Sequence, residues 1–395
     1  MDAVVPRMIE RGEFRMSTTQ GRLRERRTPL SRRQLVRSVA MAAVAAGIGG
    51  VTLTPEPARA EGCSLGATTT CSVLVVGAGA AGMAAAWRAA GTGVVMALEA
   101  GDDQSRSSSH AMGSATMYGA GTSVQADAGV VDSADDLLAD LTNRLGADAD
   151  PDLLAACAEK FGTTIDRLRR LAGVPFKVEL ATDPADHVAR VHAIDASQGD
   201  ALTTLTGKAV EKGVAVQYGV TATRLTRDGD GKVTGVVARD ASGVEHMVTA
   251  YATVIATGGF ARDADMMAAR CPDVADNDVE AGVGMGADGS GIRLALDAGA
   301  AWRDGGAWLS PADGKAVRAT LGGLRVNADM QVLDEAGEPI PGLYAAGEDC
   351  VGSLAPTRLP AEGSCLSWAL ASGTIAGAAA SLFAANELVA SGNAS

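Results

Sequence analysis

Residues 73–86 read VLVVGAGAAGMAAA, and this stretch decides the fold. Four apolar residues, Val73 to Val76, run directly into Gly77-x-Gly79-x-x-Gly82, and Met83 to Ala90 has the composition of a helix. A second strand, Val94 to Leu98, ends at Glu99, 17 residues beyond Gly82. Gly77 permits a tight turn, Gly79 lets backbone approach a phosphate, and Gly82 lets helix and strand pack closely. Ala81 lies in the same turn. The pattern predicts a dinucleotide site in which the helix N-terminus holds a pyrophosphate and Glu99 accepts from a ribose hydroxyl.

Charge is distributed unevenly along the 395 residues. Residues 1–60 hold 11 of the 34 Lys and Arg and 5 of the 47 Asp and Glu, a net +6, which leaves −19 on the remainder. A basic leader before an acidic body argues against nucleic acid or an anionic membrane as partner of that body. Aromatic residues make up only 3% of the chain while glycines number 49, which suits a tightly packed α/β protein. The six cysteines (Cys63, Cys71, Cys157, Cys271, Cys350, Cys365) fall in no CxxC or CxxCH spacing, so no haem, iron–sulfur or zinc site is expected.

The leader has its own logic. Arg32 and Arg33 precede a weakly apolar run from about Ser38 to Leu53, and Ala58-Arg59-Ala60 follows as a small-residue cleavage site. The run is too short and glycine-rich for a comfortable membrane span. Ser31 to Val36 resembles the S-R-R-x-L-V core of a twin-arginine export signal, which implies engagement of the export machinery and release across the cytoplasmic membrane, to the periplasm or cell surface. Met16 is an alternative start.

A strand–GxGxxG–helix–strand–Glu unit serves FAD and NAD alike, so the choice rests on the rest of the chain. TVIATGGF (Thr253 to Phe260) is a second apolar strand ending in paired glycines, Gly258 among them. PGLYAAGE (Pro341 to Glu348) is a third, ending in Gly-Glu. Together the three segments resemble the FAD-dependent fumarate reductase and succinate dehydrogenase flavoproteins, especially the exported soluble reductases. The resemblance covers nearly everything after Cys71. It implies FAD as cofactor and an α/β, Rossmann-like, glutathione-reductase-like FAD domain with a β-ribbon insertion near residues 216–250. By the same resemblance, the loop SSSHAMGS puts Ser109, His110, Gly113 and Ser114 on cofactor positions. The backbone at Ala222 would contact adenine. Ala361, Ser364 and Cys365 would stand at the N-terminus of a last helix, beginning near Glu362, that points at the flavin.

The resemblance further implies hydride transfer from flavin N5 to an activated C=C bond, with arginines clamping substrate carboxylates. Arg358, eleven residues after Gly347, matches the family's carboxylate-binding arginine. Two departures stand out. Where the family has His-Thr-x-Gly-Gly, this chain has Ala319-Thr320-Leu321-Gly322-Gly323, leaving the neighbouring Arg318 as the best polar substitute and His110 as a third candidate. The interval from Gly286 to Ala319 is about 34 residues, shorter than the roughly 50 a domain needs, so the family's mobile cap is expected to be vestigial. The expected organisation is a signal peptide at 1–60, FAD-domain parts at 61–283 and 320–395, and a reduced cap segment at 284–319. The expected function is reduction of an unsaturated small-molecule acceptor, with electrons from an external membrane-bound or soluble carrier. A 3-ketosteroid Δ1-dehydrogenase-like enzyme is the alternative, although Glu348 stands where such enzymes typically have Asn. A flavin-binding electron-transfer subunit or remnant without turnover is the third possibility.

Overall fold

A computed structural model describes residues 65–103, 116–146, 149–196, 198–310 and 314–392. The leader and the loop carrying Ser109, His110, Gly113 and Ser114 lie outside the described residues.

The valine-rich run forms strand β1 (Thr68–Val76), and the glycines lead into helix α1 (Ala80–Ala89) and strand β2 (Val95–Glu99). Val73, Leu74 and Val75 are fully buried, as expected of a strand covered on both faces. The helix starts three residues earlier than its composition suggests, because Gly79 already serves as N-cap. β1 pairs in parallel with β2 on one side and with β9 (Glu245–Ile255) on the other. β6 (Ala215–Tyr218) extends the parallel sheet beyond β2, and β15 (Pro339–Ala345) extends it beyond β9. β14 (Gln331–Leu333) adds an antiparallel edge.

The expected ribbon is present but starts later. β7 (Val220–Arg227), β8 (Val233–Asp240) and the first half of β9 form an antiparallel three-stranded ribbon. Residues 215–218 belong instead to the parallel sheet. Gly219 at φ 67° turns the chain from one to the other. β9 is thus common to ribbon and sheet.

A smaller antiparallel sheet in the order β3 (Thr116–Tyr118), β5 (Val191–Ile194), β4 (Phe176–Ala181) lies beside helices α2 (Ser123–Asp127), α3 (Ala134–Leu145) and α4 (Pro151–Arg167). Side chains start these helices. Thr122 and Gln125 make a reciprocal capping box, Ser133 caps α3, and Asp150 with Pro151 opens α4. α5 (Gln198–Glu211) leads into β6, and the short α6 (Ala264–Arg270) follows β9.

Within 284–319 the described residues form α7 (Ser290–Asp297), β10 (Trp302–Arg303), β11 (Ala307–Leu309) and the start of β12 (Val317–Thr320). β11 and β12 make a hairpin, and β10 pairs with β13 (Gly323–Leu324). The last helix, α8 (Ser364–Gly392), starts at Ser364, after a turn at Gly363 with φ 80°. It is long and apolar enough to cross a membrane, yet 67% of its most apolar window is buried inside the protein. It lies against α1, where a Cβ at Gly373 or Gly377 would stand 2.1 Å from Ala81 O or 2.2 Å from Ala85 O. Those two glycines set how closely the helices approach.

Candidate cofactor and acceptor site

At the C-terminal ends of the parallel strands lies a cleft of about 850 Å³. Its floor is the glycine turn. Gly77 has φ 100°, and a Cβ there would stand 2.2 Å from Ala256 O at the end of β9, so no other residue fits. A Cβ on Gly82 would come within 1.8 Å of Gly77 O; this glycine packs helix on strand beneath the cleft. Gly79 and Ala81 line it, and no side chain caps α1. The first amides of that helix therefore face the cleft as donors without intrahelical partners.

Glu99 is buried at the same end and lines the cleft. Its Oε2 accepts from Ala78 N at 2.9 Å and its Oε1 from Gly101 N at 3.0 Å. The carboxylate braces the turn, a duty the sequence pattern did not reveal. Ala222 of β7 lines the opposite wall, as do Gly258 and Glu348 farther along. Asp288 and Ser290 also line it, with Asp288 Oδ1 accepting from Ser290 N at 2.9 Å where α7 begins. Neither residue was singled out in the sequence.

Beyond Glu348 a smaller pocket of about 240 Å³ opens between β12 and the start of α8, lined by Ala319, Thr320, Leu321, Leu359, Cys365 and Trp368 among others. Glu348 and Ala369 line both spaces. Glu348 Oε1 accepts from Thr320 N at 2.8 Å and from Thr320 Oγ1 at 3.0 Å. Its neighbour Asp349, fully buried, accepts from Thr257 Oγ1 and Gly258 N, both at 2.8 Å. Burial pushes both carboxyls up, that of Asp349 to about 7, with the charge of Glu348 adding to the effect there. Asp349 was missed in the sequence; its only signal was a second acid directly after Gly-Glu.

Cys365 lines this pocket as a protonated thiol, pushed up to about 12 by burial and by Glu348, with Arg318 opposing. Ser364 Oγ donates to Ala361 O at 2.6 Å, closing the turn before α8. Ala361 and Ser364 are buried and shape the helix start.

The two described catalytic candidates are held apart by different partners. Arg318 makes a two-pronged ion pair with Glu280, Nε to Oε2 at 2.5 Å and Nη2 to Oε1 at 3.1 Å, and lies over the Trp308 ring at 5.1 Å. Arg358 is exposed, and its Nη2 donates to the carbonyl of Arg144 at the end of α3. Tyr118 is fully buried and donates to Asp186 at 2.9 Å, a packing role. None of the five described cysteines is joined in a disulfide.

Comparison with known proteins decides which dinucleotide this cleft accommodates. The family model described as the FAD binding domain matches residues 72–313 and 306–365. The chain belongs to the FAD binding domain family. Its relatives in this flavoprotein family include a probable fumarate reductase of Shewanella frigidimarina, 28% identical over 251 residues, covering 60% of this chain and 40% of that protein. The chain spans well under half the length of the curated relatives it matches. Among solved structures, an open flavocytochrome c3 fumarate reductase superposes with a TM-score of 0.70 at 20% identity, covering 88% of this chain and 81% of that one. The 3-ketosteroid-Δ4-(5α)-dehydrogenase of Rhodococcus jostii gives 0.69 at 22%, covering 79% and 97%. These likenesses establish the glutathione-reductase-like FAD fold. The residues present fit FAD: uncapped amides at α1 for the pyrophosphate, Glu99 at the ribose end, and a cleft whose wall extends past Glu348 to Ala369 of α8.

Proposed function

We propose that this FAD-binding oxidoreductase is an exported reductase of an activated C=C bond, supplied with electrons by an external carrier. The observation that carries the proposal is a mostly apolar pocket at the N-terminus of α8 that shares Glu348 and Ala369 with the wall of the FAD cleft. FAD, when bound, supplies hydride chemistry at its ring. The protein's share is to bind, orient and exclude water. The first amides of α8 favour negative charge beside them. Ala361, Ser364 and Cys365 shape that end, and Glu348 fixes Thr320 against it. Arg358 and Arg318 are the groups offered to an acceptor carboxylate, with His110 as the third candidate.

The missing histidine at Ala319 and the pairing of Arg318 with Glu280 weaken recognition of a small dicarboxylate. They favour a larger, less charged conjugated acceptor. The two parts of the family match meet at 306–313, inside the short interval between Gly286 and Ala319, which supports a vestigial cap. The same apolar lining supports the second reading, a ketosteroid dehydrogenase-like enzyme.

Turnover decides between them. FAD-loaded protein lacking residues 1–60 should oxidise a reduced viologen dye when given conjugated enoates. Oxidation of a 3-ketosteroid with a dye acceptor instead would install the second reading, and no turnover with either class would leave a flavin-binding protein without catalysis. Export is tested separately: residues 1–60 fused to a folded reporter should carry it across the membrane, and Arg32→Lys with Arg33→Lys should abolish this.

A further inference from the structure

Three cations meet at the end of α1 that points away from the FAD cleft. The guanidinium of Arg167, the last residue of α4, stands over the Trp87 ring at 4.2 Å from its centroid. Lys212 Nζ, just past the end of α5, stands 5.2 Å from the same centroid. Arg88 follows Trp87 on α1. Burial, then the charges of Arg167 and Arg88, push the Lys212 ammonium below the ordinary lysine range. The charged groups that face Lys212 are thus cations like itself.

Trp87 is 4% exposed, and its Nε1 is buried with no hydrogen-bond partner. A buried indole N–H ordinarily finds an acceptor. Trp302 donates to Asp304 Oδ1 at 2.7 Å and Trp368 to Gly347 O at 2.6 Å. At Trp87 a buried donor is surrounded by positive charge and offered no acceptor.

Neutralising helix ends does not account for the cluster. α1 ends at Ala89 and α5 at Glu211, and each contributes a partial charge of about −0.5 at its carbonyl end. α4 has no such end here, because the chain runs on through Arg167 into the helical turn Leu168–Ala172. The Glu211 carboxylate is already matched by Lys208 at 2.8 Å. Three full charges against two halves leave about two positive charges in excess, within a body that is otherwise strongly acidic.

We propose that this junction is a binding site for a small free oxyanion of the phosphate type, which accepts from Trp87 Nε1 and is held by Lys212 together with Arg88 and Arg167. A tetrahedral anion presents oxygens in several directions, so one can meet the indole edge while others face cations set over the ring. Lys212 is exposed and Arg88 and Arg167 are half-buried, which leaves a way in from solvent. The burial of Trp87 restricts that way to a small solute. Once bound, the anion would tie α1, α4 and α5 together at the end remote from FAD.

Calorimetric titration of the FAD-loaded full chain with inorganic phosphate, in a phosphate-free buffer of low ionic strength, tests this site. It needs no acceptor and so stands or falls separately from the reductase proposal. Saturable binding at millimolar phosphate or below is expected, with a melting temperature that rises as the site fills. Trp87→Phe keeps a ring beneath the cations and deletes only the N–H, and should weaken phosphate about tenfold. Lys212→Gln alters an exposed side chain, keeps the fold, and should also weaken phosphate about tenfold. Added sodium chloride should weaken binding to the wild type. No saturable binding by the wild type at millimolar phosphate, or an affinity unchanged in either variant, would overturn the proposal and leave the cations as packing around Trp87.

Discussion

At the pyrophosphate end of the cleft the binding surface is main chain: glycines that admit no Cβ, and helix amides with no side-chain cap. The groups offered to an acceptor are charged side chains that already have partners, Arg318 the Glu280 carboxylate and Arg358 the backbone carbonyl of Arg144. Backbone geometry of the first kind is preorganised whether or not a ligand arrives. Side-chain geometry of the second kind has to exchange partners before it can bind anything, and that exchange costs part of the interaction gained. The FAD end is therefore committed to its ligand, while the acceptor end can be retuned by single substitutions.

The harshest way to break this contrast is Gly82→Val. With Gly77 O only 1.8 Å from a Cβ, α1 must leave β1, and we expect a loss of about 3 kcal/mol or more together with FAD retention, read by thermal melts and flavin absorbance. Asp349 comes next. Its carboxyl is pushed up to about 7 from an ordinary value near 3.8, so the stability it contributes is fully present below about pH 4 and is lost as pH rises through 7. Melting curves of FAD-loaded protein should show wild type losing about 3 kcal/mol across that window, a loss that Asp349→Asn largely removes. Glu99→Ala deletes the brace on Ala78 and Gly101 as well as the ribose acceptor, and should weaken FAD about 100-fold in equilibrium dialysis.

Smaller effects probe the acceptor end. Glu280→Gln releases the charge of Arg318 and should lower KM for an anionic enoate several-fold with kcat little changed; a raised KM would mean that Arg318 is only a strut for Trp308. Arg358→Ala, at an exposed position, should alter stability by less than about 0.5 kcal/mol and reveal itself only in KM.

The same contrast explains what could be read from the sequence. Gly77 and Gly82 each meet a steric demand that only glycine satisfies, so the spacing specified the turn, the first helix and the strands that flank it. Gly258 and Glu348 followed from strand ends in the chain and Ala222 from the family resemblance of the ribbon, and all three line the FAD cleft. The partners of Arg318 and Arg358 lie 38 and 214 residues away in sequence, and no local pattern announces such pairings. Asp349 hid for another reason: its significance is burial without a cation, a property of the surroundings and not of the residue type. The start of the ribbon was misplaced because β6 and β7 are separated only by Gly219.

Glu348 and Asp349 are consecutive, yet they grip different segments, Thr320 on β12 and Thr257–Gly258 after β9. A single peptide unit is thus the axle between the loop beside FAD and the strand beside the acceptor. The short helical segment Gly347–Ser353 therefore clamps both segments from one point, and any substitution that reorients it would disturb both.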